Sequence, residues 1–233
     1  MSLWQKTMKR SVKLSKTYIA IGAFLTGYGI VLSNLMSVLP PDLAPTASPI
    51  NLSGVFPLLS VALLSIAAVL FALPVIMLFV YDKNNGVLEY LLSTGLDQLD
   101  IFKAYVKAAL ALTAYLLITS ISINTIVGVA LGTNFTLLAT IAILTIAIGT
   151  SEVFLVSICM AAFSSLQKTP MGANQPLGVV VGVIPMFPAL ILPLAFPLYA
   201  VAVDLSIAII TLLTSIALLL SVNRLIMREK LLP

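Results

Sequence analysis

The sequence predicts an all-α integral membrane protein of about six transmembrane helices, for three reasons: charge is scarce, apolar runs reach spanning length, and basic residues segregate. Hydrophobic residues make up 61% of the 233 and charged residues only 9%, with a mean hydropathy of +1.16. A soluble domain carries about 25% charged residues, so lipid must cover much of this surface. The chain has no His and a single Cys, Cys159. Imidazole metal sites, His-based acid–base catalysis and an intrachain disulfide are thereby excluded, and no metal site is expected. The net charge of +4 is no nucleic-acid signal, because in a membrane chain it is the placement of charge that informs.

Residues 1–16 carry Lys6, Lys9, Arg10, Lys13 and Lys16 at mostly three-residue and adjacent steps, with Trp4, Met8, Val12 and Ser15 on another face. This pattern predicts an amphipathic interfacial helix along the cytoplasmic leaflet, with Trp4 at headgroup depth. It serves as a lipid anchor, or also meets a cytoplasmic partner. The apolar run that follows, 17–39, exceeds a signal-peptide core of about 7–15 residues and lacks a small-residue cleavage site, so it reads as a retained first span.

Residues 17–233 read as one six-helix membrane domain. A crossing takes about 20 apolar residues, which gives spans near 17–39, 55–80, 108–131, 135–163, 177–203 and 205–222. The last two are divided only by Asp204; together they make about 69 Å of helix, enough for two crossings of a core about 30 Å thick. With the N-terminus inside, all twelve basic residues fall in segments 1–16, 81–107, 164–176 and 223–233, leaving Asp42 and Asp204 as the external charges. The positive-inside rule then expects both termini in the cytoplasm and an even number of spans. The external loops, 40–54 and Gly132-Thr133-Asn134, are short. Asn51 and Asn134 open Asn-x-Ser/Thr triplets there, a weak glycosylation signal.

The long cytoplasmic loop, 81–107, is the most informative stretch. Asn84-Asn85-Gly86 signals a turn. A two-turn helix from Val87 to Thr94 puts Leu88, Leu91 and Leu92 on one face and Glu89 on another, with Gly95 suited to end it. Asp97 can cap the next helix and Asp100 adds negative charge to its first turn. The apolar face either rests on lipid and neighbouring spans or docks a cytoplasmic protein.

Inside the spans, Glu152 is the only acidic or basic residue expected, about 16 Å of helix from the cytoplasmic boundary at Phe163. At that depth it should face the bundle interior and be protonated or paired. It contacts a substrate, relays protons, or simply packs near Thr150 and Ser151. Pro185, Pro188, Pro193 and Pro197 mark a bent or broken fifth span, which gates an exit path or only shapes the helix. Glu152, Pro185 and Pro188 are the candidate translocation-path residues.

The run Gly86-Val87-Leu88-Glu89-Tyr90-Leu91-Leu92-Ser93-Thr94-Gly95, followed by Ile101 and Lys107, resembles the cytoplasmic motif of ABC-2-type permeases. In that family a Gly-x-Leu-Glu-x-Leu-Leu run after the second span forms the coupling helix. A Pro typically follows the Leu-Leu pair where Gly95 stands here, and Lys103 or Lys107 matches the Lys that opens the third span. The resemblance implies a half-transporter that pairs with a second permease subunit, identical or not, in the plasma membrane of a prokaryote. It also implies a separate cytoplasmic ATPase subunit, which would hold ATP and Mg; this chain would bind no cofactor. Gly86, Leu88, Glu89, Tyr90, Leu91 and Leu92 would form the coupling contact, and Trp4, Lys6, Lys9, Arg10 and Lys13 the elbow helix. The chain has no Gly-x-x-x-x-Gly-Lys-Ser/Thr loop, so it is not expected to be an enzyme. The implied activity is export of an unspecified substrate. The alternatives are a stand-alone secondary transporter or channel, whose sign would be paired intramembrane charges, and a membrane assembly subunit.

Overall fold

A computed structural model describes residues 2–14, 16–38, 52–163, 186–196 and 199–221. The expectations on Ser15, Asp42, Asn51, Lys168, Pro185, Pro197, Arg224, Arg228 and Lys230 lie outside the described residues. Those that are described form α-helices joined by turns, with no strand among them: α1 (Leu3–Leu14), α2 (Lys16–Val38), α3 (Leu52–Asn84), α4 (Val87–Ser93), α5 (Gln98–Ala130), α6 (Phe135–Phe163), α7 (Met186–Ala195) and α8 (Ala200–Leu220). A helix satisfies its own backbone, the requirement that hydrocarbon imposes on a crossing segment. Five stretches are long and apolar enough to cross a membrane: Lys16–Leu35, Leu59–Asn84, Gln98–Ala130, Phe135–Cys159 and Ala200–Leu220. They agree with a multi-pass membrane protein.

The spanning helices divide into inner and outer members. In α3 and α6, 72% and 67% of the most apolar window is buried, against 28–33% in α2, α5 and α8. The inner pair forms the axis, with α2 and α5 packed on α3, α5 also on α6, and α8 on α6. Close approach depends on small residues, as is usual where lipid leaves no hydrophobic drive between helices. A Cβ on Gly149 of α6 would meet the Ala68 Cβ of α3 at 3.3 Å, and one on Gly128 of α5 would meet Leu138 at 2.7 Å. Phe79 of α3 receives Phe102 and Tyr105 of α5 edge-on, at centroid distances of 6.4 and 5.2 Å, each pair adding about 0.5–1.5 kcal/mol beyond burial.

Three boundaries depart from the sequence reading. Helix α3 runs from Leu52 to Asn84 and α5 from Gln98 to Ala130, so much of the expected loop 81–107 is helix that continues the spans. Lys16 opens α2 instead of closing α1. The helix break expected at Asp204 falls between Ala195 and Ala200, and α8 passes straight through Asp204, which is buried. Asp204 is therefore not a charge in an external loop, and Glu152 is not the sole acid inside the spanning helices. Nothing local stops a helix at a single Asp set in an apolar run, because Asp costs less than about 1 kcal/mol in a helix interior.

Candidate functional site

Every basic residue among those described lies at one end of the bundle, where α1, the start of α2, the end of α3, α4 and the start of α5 converge. Helix α4 is fixed by its flanks. Gly86 and Gly95 adopt φ of +72° and +88°, left-handed conformations that cost a side-chain-bearing residue about 1–2 kcal/mol. The Gly95 N–H donates to the Leu92 carbonyl and the Thr94 N–H to that of Tyr90, so the last turn is closed as a C-terminal glycine predicts. Asp97 sits at the N-cap of α5 with extended backbone, and its carbonyl accepts from Asp100 and Ile101. Its side chain makes no capping hydrogen bond, contrary to the expected side-chain cap.

The two faces of α4 match their sequence assignment. Leu88 is wholly buried in the apolar cluster that joins α3, α5 and α6, with Leu91 and Leu92 packed against it. Glu89 and Tyr90 face out, Tyr90 being 68% exposed. Beside them an open groove of about 510 Å³ is lined by Leu92, Gly95, Leu96, Asp97 and Gln98. The core thus takes the leucines, and the outward surface available to a partner is Glu89, Tyr90 and this groove.

Helix α1 is docked on the same end. Trp4, expected at headgroup depth, packs with Met8 and Val12 against the α3–α5 cluster, while Lys6, Lys9 and Lys13 are exposed. Arg10 donates from Nη2 to Asp82 Oδ1 at 2.8 Å and from Nη1 to Oδ2 at 3.1 Å, a bidentate pair. Asp82 is fully buried, and the Tyr105 hydroxyl donates to its Oδ2 at 2.5 Å. One carboxylate therefore ties α1, α3 and α5 together immediately before α4.

Sequence reasoning assigned Asp82 and Tyr105 no role. The available signal was an acid directly following an apolar run, facing a basic helix.

At the opposite end, Asn34 of α2 donates from Nδ2 to Asn124 Oδ1 of α5 at 2.9 Å, and Ser33 hydrogen-bonds the same oxygen. Thr133 completes this cluster through Asn34 Oδ1 at 3.3 Å. Amides inside spans need such partners, since hydrocarbon offers none. Asn134 caps α6: the Thr136 N–H donates to its Oδ1 at 2.9 Å.

The candidate path residues are only partly described. Glu152 is completely buried, and neither carboxylate oxygen has a hydrogen-bond partner. Pro188 falls in the first turn of α7, half-buried, where a missing N–H breaks no intrahelical bond. Helix α7 packs on α3 and α8. No cluster of three or more His, Cys, Asp or Glu side chains occurs among the described residues.

No family model matches the chain, and neither a curated protein nor a solved structure does.

Proposed function

We propose that this chain is the membrane-spanning permease subunit of an ATP-driven, ABC-2-type transporter. In this reading it exports its substrate across a plasma membrane as one of two permease subunits, identical or different. A separate cytoplasmic ATPase subunit holds ATP and Mg, with α4 as the coupling helix and α1 as the elbow helix. The observation that carries it is α4: a short helix stopped by glycine at both ends, rooted through Leu88 in the helices it joins, with Glu89 and Tyr90 outward. A push on Glu89 and Tyr90 would pass through Leu88 into α3 and α5 without first compressing a flexible loop. The Arg10–Asp82–Tyr105 tie supports the reading, because α1 would move with those helices.

The test is co-expression with an ATPase encoded beside this chain. Glu89→Ala and Tyr90→Ala are expected to lower ATPase co-purification and permease-stimulated hydrolysis at least about tenfold together, a loss of about 1.4 kcal/mol. Both side chains are exposed, so the melting temperature should stay unchanged. Variants that retain the ATPase and its stimulation would overturn the coupling role of α4. A second reading, a cation-coupled carrier, is favoured by one observation: Asp204 joins Glu152 as a buried acid within the spanning helices. Transport that persists without the ATPase and collapses with an ion gradient would select it.

A further inference from the structure

Most hydroxyls inside these helices bond back to their own backbone, as Ser and Thr commonly do: Thr26 to Gly22, Thr113 to Ala109, Ser157 to Val153 and Ser215 to Thr211. Ser65 of α3 and Thr145 of α6 do not. They are 1% and 0% exposed, and neither oxygen has a partner; Asp204 of α8, 1% exposed, likewise has an unpartnered Oδ2.

The packing brings these oxygens to one layer. Val61 of α3, Ile141, Leu144 and Ile148 of α6, and Ala200 and Ala208 of α8 form a single apolar cluster. Ser65 lies one turn beyond Val61 and one turn before Ala68, which abuts Gly149 of α6, so Ser65 shares the α3 face turned to α6. Thr145 lies between Ile141 and Ile148 on the α6 face that meets this cluster. Asp204 lies one turn from both Ala200 and Ala208. Thr211, two turns further along the same α8 face, hydrogen-bonds Ser151 of α6 at 2.8 Å, which fixes that face towards α6. Residues about sixty apart therefore oppose each other on α6 and α8, setting Asp204 level with Leu144 and Thr145.

We propose that Ser65, Thr145 and Asp204 form a binding site for a hard monovalent cation, of sodium size, in the interior of the bundle. Unpartnered oxygens from three helices share this level of the bundle, and carboxylate and hydroxyl oxygens are the ligands that hard cations prefer. Glu152 lies about two turns further along α6 from Thr145, so Asp204 is the carboxylate at this level and, with all described basic residues at one end of the bundle, matches one positive charge. A calcium site would take about 6–8 oxygens and usually several carboxylates. Water carried in with the ion completes its shell. The site is independent of whether an ATPase docks at α4.

The probe is sodium itself. The purified full chain in detergent is melted in sodium chloride, lithium chloride, potassium chloride and choline chloride at equal ionic strength. Sodium is expected to raise the apparent melting temperature saturably, by about 4 °C or more relative to choline, with potassium weaker. Asp204→Asn should abolish the shift, and Ser65→Ala and Thr145→Val should each weaken the apparent sodium affinity at least about threefold. Equal melting of the wild type in sodium and choline overturns the proposal. So does a sodium shift that survives unchanged in Asp204→Asn. If Ser65→Ala and Thr145→Val stabilise the protein equally in both salts, the hydroxyls are merely unsatisfied and the site does not exist.

Discussion

Removing Arg10 should loosen α1 more than removing the carboxylate it binds. Asp82 is fully buried, whereas the Arg10 side chain is 46% exposed. Arg10→Ala strands a buried carboxylate with the Tyr105 hydroxyl as its remaining side-chain partner. Breaking a buried pair costs about 3–5 kcal/mol; the exposure of Arg10 lowers this to about 2–3 kcal/mol. Asp82→Ala frees an arginine that already reaches water, and leaves the buried Tyr105 hydroxyl unpaired, for about 1–2 kcal/mol. At about 2–4 °C per kcal/mol for a chain of this size, Arg10→Ala should lower the apparent melting temperature by about 4–12 °C. The double variant should melt higher than additivity predicts, with a coupling of about 1–2 kcal/mol. Trp4 is the single tryptophan and lies on α1 against the core, so acrylamide quenching of its emission should rise in Arg10→Ala. If both single variants melt within about 1 °C of wild type and Trp4 quenching is unchanged, the tie does not hold α1 in place.

Two glycine substitutions probe the packing and the α4 boundary. Gly128→Ala sets a Cβ 2.7 Å from Leu138 and 2.9 Å from Asn34 Oδ1, and should cost about 1–3 kcal/mol in a melting assay. Gly27→Ala, which meets nothing within 4 Å, should be neutral or stabilising by up to about 1 kcal/mol. At Gly95, φ is +88° with open space around it. Gly95→Ala should therefore destabilise by about 1–2 kcal/mol and Gly95→Asn by less, because Asn tolerates the left-handed region; equal costs would mean that backbone strain is not the cause.

What the sequence determined by itself is local or compositional. Charge-free runs longer than a bilayer crossing must be helical, and the stretches found to be long and apolar enough follow from that. Gly86 and Gly95 bracket α4 because positive φ is a property of the glycine itself, and Leu88 faces the core because four adjacent residues already separate an apolar side from a polar one. Which distant groups meet was decided by tertiary structure. Asp82 lies 72 positions from Arg10, and Ser65, Thr145 and Asp204 come from three helices. When both the lipid-facing and the protein-facing sides of a helix are apolar, periodicity no longer tells which side is inward. The same ambiguity made Asp204 read as a loop charge, since one acid in an apolar run looks like an interruption until a neighbouring helix is seen to bury it.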